Sequence, residues 1–206
     1  MMNGLLAAPS LTTGLLLVVN LLLPPRATTQ AAYVLERSSS RVMFEGRAFL
    51  RSVIGGSDDL AGAVSIRTGD IRSTRGNVRF PVASLETEPA LEPRELRQLF
   101  GAEQHPDVVF LVDSIGDGAR DNHWAIHGRL TMNGVTRPVA FMGIARMLGR
   151  RMVASGSASI DLRDWRIRPP RRLGGLIGMS SKVQLTFQAE FRPREGTHTA
   201  LMFLDQ

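Results

Sequence analysis

The 206-residue chain has no cysteine. That absence excludes disulfides, thiolate metal sites, a cysteine nucleophile and lipid attachment through an N-terminal cysteine. Lysine is nearly absent too: Lys182 is the single one, and every other basic residue among the 25 is arginine. So one-sided a choice fits codon bias in a GC-rich genome better than selection for phosphate recognition. The net charge of +6 is therefore weak evidence for a nucleic-acid or anionic-lipid partner. Aromatic residues are 6% of the chain, sparse for a stacking platform that would read single-stranded nucleic acid. With 43% hydrophobic and 21% charged residues the balance is that of an ordinary globular domain.

A long apolar run is also missing. Gly14–Leu23 reads GLLLVVNLLL, half of what a membrane-spanning helix needs (about 20 residues) but enough for the core of a signal peptide. Pro24-Pro25 then stop the segment, and Thr29-Gln30-Ala31-Ala32 offers the small residues a signal peptidase accepts. The expectation is a signal peptide over 1–32, one domain over 33–192 and a tail over 193–206, with the mature protein periplasmic or secreted. Residues 1–13 carry no Lys or Arg, so an uncleaved N-terminal anchor stays open as the alternative. The tail holds an apolar tip, Leu201–Leu204.

Catalytic signatures are absent: there is no G-x-S-x-G, P-loop, G-x-G-x-x-G or H-E-x-x-H. His123 and His127 are four apart, which on a strand separates them by roughly 13 Å, too far to share one ion. Asp113, Asp117 and Asp121 miss the calcium-loop spacing. Ser180-Ser181-Lys182 lacks the Ser-x-x-Lys spacing of a dyad. No catalytic residue, metal ligand or cofactor is expected.

What the sequence has is alternation. In 123–132, Trp124, Ile126, Leu130 and Met132 fall on one face and His123, His127, Arg129 and Thr131 on the other. Asn133-Gly134 follows, a strong hairpin signal because both central residues of that turn take positive φ. Strands are expected at 41–49, 59–67, 77–84, 108–115, 123–132, 137–147, 152–162 and 182–191, with Gly-containing turns at Gly55-Gly56, Gly69-Asp70, Gly116-Asp117-Gly118 and Gly149. One helix is expected at 92–101, with Pro93 near its start and Gly101 at its end. Eight strands joined by short turns predict an all-β, antiparallel barrel, since closure removes exposed edges. Such a barrel can hold one small ligand. The 152–160 strand has Met152, Ala154, Gly156, Ala158 and Ile160 on one side and Val153, Ser155, Ser157 and Ser159 on the other. Neither side carries an aromatic, so either would leave room inside.

Gly128-Arg-Leu-Thr-Met-Asn-Gly-Val-Thr-Arg-Pro-Val139 resembles the G-x-L-T-L-N-G-V-T-K/R-P-V hairpin of the YceI family, exported lipocalin-like barrels associated with polyisoprenoid lipids. His105-Pro106-Asp-Val-Val-Phe110 is similar to that family's Y-P-x-x-x-F, and Asp164-Trp-Arg-Ile167 to its D-F-x-I. The family's R-D-x-H-L/M pattern is not matched: the corresponding stretch, Leu91–Leu99, has no His. The resemblance implies an eight-stranded lipocalin-like β-barrel with one short helix and a hydrophobic pocket, and alternation puts Phe44, Phe80, Phe110, Trp124, Ile126, Leu130, Phe141 and Phe187 on its expected inner face. It implies non-enzymatic binding of an isoprenoid-type lipid (a quinone, a quinone precursor or a polyprenyl phosphate) for carriage or storage in the cell envelope, with transient contact to a membrane surface. Each enclosed CH₂ contributes roughly 0.8 kcal/mol, so three or four buried isoprene units suffice for about micromolar affinity. Arg168, Arg171 and Arg172 are the candidate head-group contacts, because guanidinium forks pair bidentately with phosphate. Two other readings stay open: a packed barrel that binds a protein partner or a second copy, and a polyanion binder using Arg with Trp124 and Trp165.

Overall fold

The computed structural model describes residues 30–48, 52–88, 92–118, 123–169, 172–173, 176–178 and 180–194. Residues up to 29, where the signal peptide is expected, Arg171 and the residues from 195 on lie outside them. In chain order the elements are β1 (Gln30–Leu35), β2 (Arg41–Arg47), β3 (Ser52–Ser57), β4 (Ala61–Arg67), β5 (Asp70–Pro81), β6 (Glu86–Glu88), α1 (Pro93–Leu99), β7 (Asp107–Asp117), β8 (Trp124–Met132), β9 (Val135–Leu148), β10 (Arg151–Asp161), β11 (Arg172–Leu173), β12 (Leu176–Ile177) and β13 (Lys182–Pro193). Single 3-10 turns lie at Arg37–Ser39, Val82–Ser84 and Leu162–Trp165.

Eight strands close a ring in the order β1-β4-β5-β7-β8-β9-β10-β13 and back to β1, every neighbour antiparallel. The expected barrel is therefore present, with β1 as an added member. The strand expected at 41–49 is β2, which follows β1 along the same edge of β13 and continues the sheet into β3 and β6. Val183–Gln188 of β13 pair with β2, and Phe191–Pro193 pair with β1. The chain breaks between β1 and β2 at the Arg37–Ser39 turn. There the Ser40 hydroxyl donates to the Glu36 carbonyl (2.7 Å) and accepts the Glu190 amide (3.0 Å), so the break is itself hydrogen-bonded.

Three turn and strand expectations need correction, and one is Gly116-Asp117-Gly118, whose first two residues lie inside β7 and pair with Ala125 and Trp124. Gly55-Gly56 is not a turn but part of β3. A Cβ on Gly55 would lie 2.5 Å from Cζ of Phe44, its register partner, so the glycine makes space for a ring and does not bend the chain. The strand expected at 77–84 runs instead from Asp70 to Pro81; its first half is too polar to show apolar alternation. Residues Gln30–Ala32, expected to end the leader, pair with Arg67–Ser65 of β4. The ladder that closes the ring uses Tyr33–Leu35 against β13, so closure needs no residue before 33.

The two ends of the barrel are built differently. The turns β4–β5, β7–β8 and β9–β10 lie at one end, hereafter the hairpin end. At the other, the helix end, α1 starts with Pro93 at its first turn and stops before Gly101 (φ +62°). The Asn133-Gly134 turn has φ of +47° and +69°, as a primed turn requires. Gly101 and Gly134 are also contact points: a Cβ on Gly101 would meet the Asn133 side-chain oxygen at 2.3 Å, and one on Gly134 the His105 ring at 2.5 Å. Val53, Leu96, Leu162, Trp165 and Ile167 fill this end, all buried. The Trp165 indole N–H donates to the Leu130 carbonyl (2.9 Å), and the Asn133 amide donates to the Trp165 carbonyl (3.2 Å). No helix among the described residues is long and apolar enough to cross a membrane.

Candidate functional site: the barrel interior

The face of β10 left open by its sequence is settled by burial: Met152, Ala154, Ala158 and Ile160 are buried, and Ser159 on the other side is exposed. Ala154 is flanked in register by Ala145 of β9 and Ala189 of β13, which gives one wall a cross-strand row of three alanines. The next row pairs Gly156 with Gly143 and with Phe187. A Cβ on Gly156 would lie 3.0 Å from the Phe187 ring, and one on Gly128 only 2.4 Å from the ring of Phe110. Glycine beneath these rings lets them lie against the wall. Phe110, Phe141 and Phe187 then pack edge to face, with centroid separations of 5.1 and 5.2 Å.

These choices leave a cavity of about 130 Å³ inside the ring. Phe80, Phe110, Ile126, Leu130, Phe141 and Phe187 of the expected set line it, with the alanine row, Val64, Ile115, Met152 and Phe191. Thr74 is the one described lining residue with a polar side chain, and its hydroxyl is already donated to the Ile71 carbonyl (2.6 Å). A smaller cavity of about 50 Å³ lies toward α1, lined by Phe44, Leu96, Leu99 and Phe100 among others. Val42, Phe80, Val108, Met132 and Leu185 line both and so form the partition. On this measure one water needs roughly 10–15 Å³, so the larger cavity offers on the order of ten carbon-sized positions, about two isoprene units. That is less than the three or four expected, and a longer tail needs the partition to yield.

Trp124, expected in the lining, sits instead on the rim. Thr74, Ile115, Ile126 and Ala145 line the cavity; two residues nearer the hairpin end on the same strands stand Arg72, Asp117, Trp124 and Met147. The Arg72 guanidinium lies 5.7 Å from the Trp124 ring centroid and is paired with Asp117. Arg72, Asp117 and Met147 are exposed and Trp124 is half-buried, so one layer separates the cavity from solvent here.

Arg168 is exposed on the helix-end loop, just past Ile167, which has no exposed surface. Of Arg172 the backbone alone is described, in a two-residue ladder with Ile177. Trp165 is 2% exposed and cannot stack on a base as a polyanion binder would require. At the base of the same loop, the Arg163 side chain hydrogen-bonds Asp161 and holds its carboxyl well below the usual carboxylate range, against the opposing effect of burial. Sequence reasoning missed both Arg72, which lies in a stretch without apolar alternation, and the alanine row, whose members sit on three separate strands.

No curated protein sequence matches the chain. Among solved structures, the barrel superposes on the polyisoprenoid-binding domain from Saccharophagus degradans, implicated in plant cell wall breakdown, with a TM-score of 0.65 at 16% identity, covering 80% of this chain and 99% of that one. BcnA of Burkholderia cenocepacia gives 0.63 at 15% identity, covering 76% and 98%. The YCEI protein of Campylobacter jejuni gives 0.55 at 16% identity, covering 68% and 85%. At these identities the likeness is one of fold. The YceI-like domain matches residues 33–191, and the chain belongs to that family.

Proposed function

We propose that this protein binds an isoprenoid-type lipid in the ring cavity, without catalysis, and carries or stores it in the cell envelope. One observation carries the reading: an apolar space in the middle of a closed barrel, kept open by alanine and glycine on the wall, with the one polar lining group among the described residues already satisfied. Empty apolar volume forfeits dispersion contacts and destabilises a core, so a cavity of this kind suits an apolar guest. Membership of a family whose structural relative from Saccharophagus degradans is a polyisoprenoid-binding domain points the same way.

Among the described lining residues none offers a head group a free polar partner, so the head group sits at an end. Buried Trp165, Ile167 and Leu96 stand between the cavity and exposed Arg168, whereas Arg72 is one layer away. We therefore place the head group at the hairpin end, with Arg72 exchanging Asp117 for an anionic oxygen. The test is native mass spectrometry of protein purified from a bacterial envelope, followed by solvent extraction. A co-purifying species with isoprene-spaced fragments is expected. An apo mass unchanged after incubation with prenols, quinones and polyprenyl phosphates would replace this reading with a packed barrel that binds a protein.

A further inference from the structure

The β9–β10 hairpin carries an unusual pairing of exposed groups. Met147 and Leu148, just before its turn, are 44% and 51% exposed, among the most exposed large apolar side chains of the described residues. Arg146 and Arg150 lie on either side of them in sequence, and neither has an ion pair among the described residues. Of the neighbouring rim cations, Arg72 is paired with Asp117, Arg151 with Glu190 and Arg67 with Asp70. Charge left uncompensated thus collects where apolar side chains protrude.

Neither feature alone would indicate a partner. Scattered exposed apolar residues are ordinary, and arginines on a surface are usually solvated. Their coincidence on one turn fits a bilayer with anionic head groups. The apolar tips enter the acyl boundary while the flanking guanidinium groups meet lipid phosphates. Position strengthens the case. Met147 is both a tip residue and a member of the cavity rim, two residues beyond Ala145, and its register partner Met152 lines the cavity. A membrane seated on this hairpin would face the end of the barrel that a single layer closes.

We propose that the hairpin end docks on anionic membranes through Met147 and Leu148 flanked by Arg146 and Arg150, so that a lipid passes between bilayer and cavity without crossing water. The inference rests on the lipid-binding reading for its purpose, but the docking can be tested apart from it.

The absence of cysteine makes a site-specific probe simple. The full chain carrying Leu148→Cys is labelled with an environment-sensitive fluorophore, and a second chain carries the same label at exposed Glu103 of the helix end through Glu103→Cys. Both are mixed with vesicles of phosphatidylcholine, alone or with an equal part of phosphatidylglycerol. The probe at 148 should shift to the blue only with the anionic vesicles, while the probe at 103 stays aqueous. Adding Arg146→Gln and Arg150→Gln should weaken the response about 30-fold in lipid concentration, since each basic residue near a surface contributes about fivefold. High salt should do the same. Equal responses from the two probes, an unshifted probe at 148, or a response that survives loss of both arginines would each overturn the proposal. Uptake of a prenol from detergent micelles, followed by mass spectrometry, separates the two readings. Loss of docking with retained uptake leaves the cavity assignment standing, and failure of uptake alone leaves the docking surface standing.

Discussion

The two ends of this barrel solve the same problem in opposite ways. At the helix end the opening is filled. Val53, Leu96, Leu162, Trp165 and Ile167 are buried, and the Trp165 indole and Asn133 amide are tied to backbone carbonyls of other elements. At the hairpin end the strands simply stop, leaving an ion pair, a half-buried Trp124 and exposed Met147 around the rim. The difference separates two jobs. Burial with specific hydrogen bonds fixes one arrangement of the chain, whereas exposed contacts contribute little to stability and are free to exchange partners.

If that division holds, substitutions of similar severity should act unequally at the two ends. The largest effect is expected at the plug. Trp165→Ala removes a buried aromatic and its indole hydrogen bond to the Leu130 carbonyl. It should cost about 3–5 kcal/mol, seen as a lower denaturant midpoint and an early loss of near-ultraviolet dichroism. A loss below about 1 kcal/mol would mean that the plug is no more important than the rim.

Between the ends, the cavity can be tested by filling it. Ala154→Leu adds bulk at the centre of the alanine row. In a packed barrel the extra carbons would cost about 1–3 kcal/mol through overpacking. In the hollow one described here they should leave stability within about 1 kcal/mol of the parent, or raise it, while displacing ligand carbon and weakening prenol binding by about tenfold or more. Calorimetric titration with a short prenol, beside a thermal melt, reads both. Lost stability together with retained binding would contradict the hollow interior.

A finer contrast concerns charge at the helix end. The Arg163 side chain depresses the pKa of Asp161 in the folded protein, and this carboxylate also accepts the Arg163 amide (3.0 Å) at the start of the 3-10 turn. A folded pKa below the ordinary value of about 3.9 means a contribution fully present above about pH 4 and lost as the pH falls toward the folded value. Asp161→Asn should therefore lower stability at neutral pH and flatten the acid limb of the stability profile, measured by denaturant titration from neutral pH downward. A parallel acid limb in parent and variant would show that the carboxylate is not held there.

How much of this was legible in the sequence follows the same division. Most of the motif residues that carry the resemblance (His105 to Phe110, Gly128 to Val139 and Asp164 to Ile167) are on the helix-end halves of their strands or in its turns, with Phe110 and Gly128 at mid-strand on the cavity wall. Asn133 and Gly134 need positive φ, Gly134 packs on His105, and Trp165 needs a carbonyl partner. Constraints of that kind write specific residues into a chain, so fold and family could be read from it. The cavity was half legible. Alternation gave its aromatic lining, but its size depends on alanines and glycines that meet only through strand register. The addition of β1 to the wall had a similar cause: at the break at Arg37–Ser39 the Ser40 hydroxyl bonds the Glu36 carbonyl and the Glu190 amide, the latter 150 residues along the chain from Ser40. The rim was not legible at all, because Arg72 asks nothing of its surroundings except exposure and a nearby ring.

That last point makes Arg72 the smallest and most informative test. Its pair with Asp117 is solvent-exposed, so Arg72→Gln should change stability by no more than about 1 kcal/mol, far less than the plug substitution. Its effect on ligand should depend on the head group. A prenyl phosphate loses a charge-assisted bond and should bind about tenfold more weakly, while a neutral prenol of the same length should bind as before. Arg168→Gln, the matched change at the opposite end, should leave both ligands unaffected. Titrating the two ligands against the two variants therefore assigns the head group to one end. A loss confined to Arg168→Gln would put the head group above the plug and require the tail to thread past Trp165. That path would demand movement in the part of the molecule where burial and hydrogen bonding resist it most.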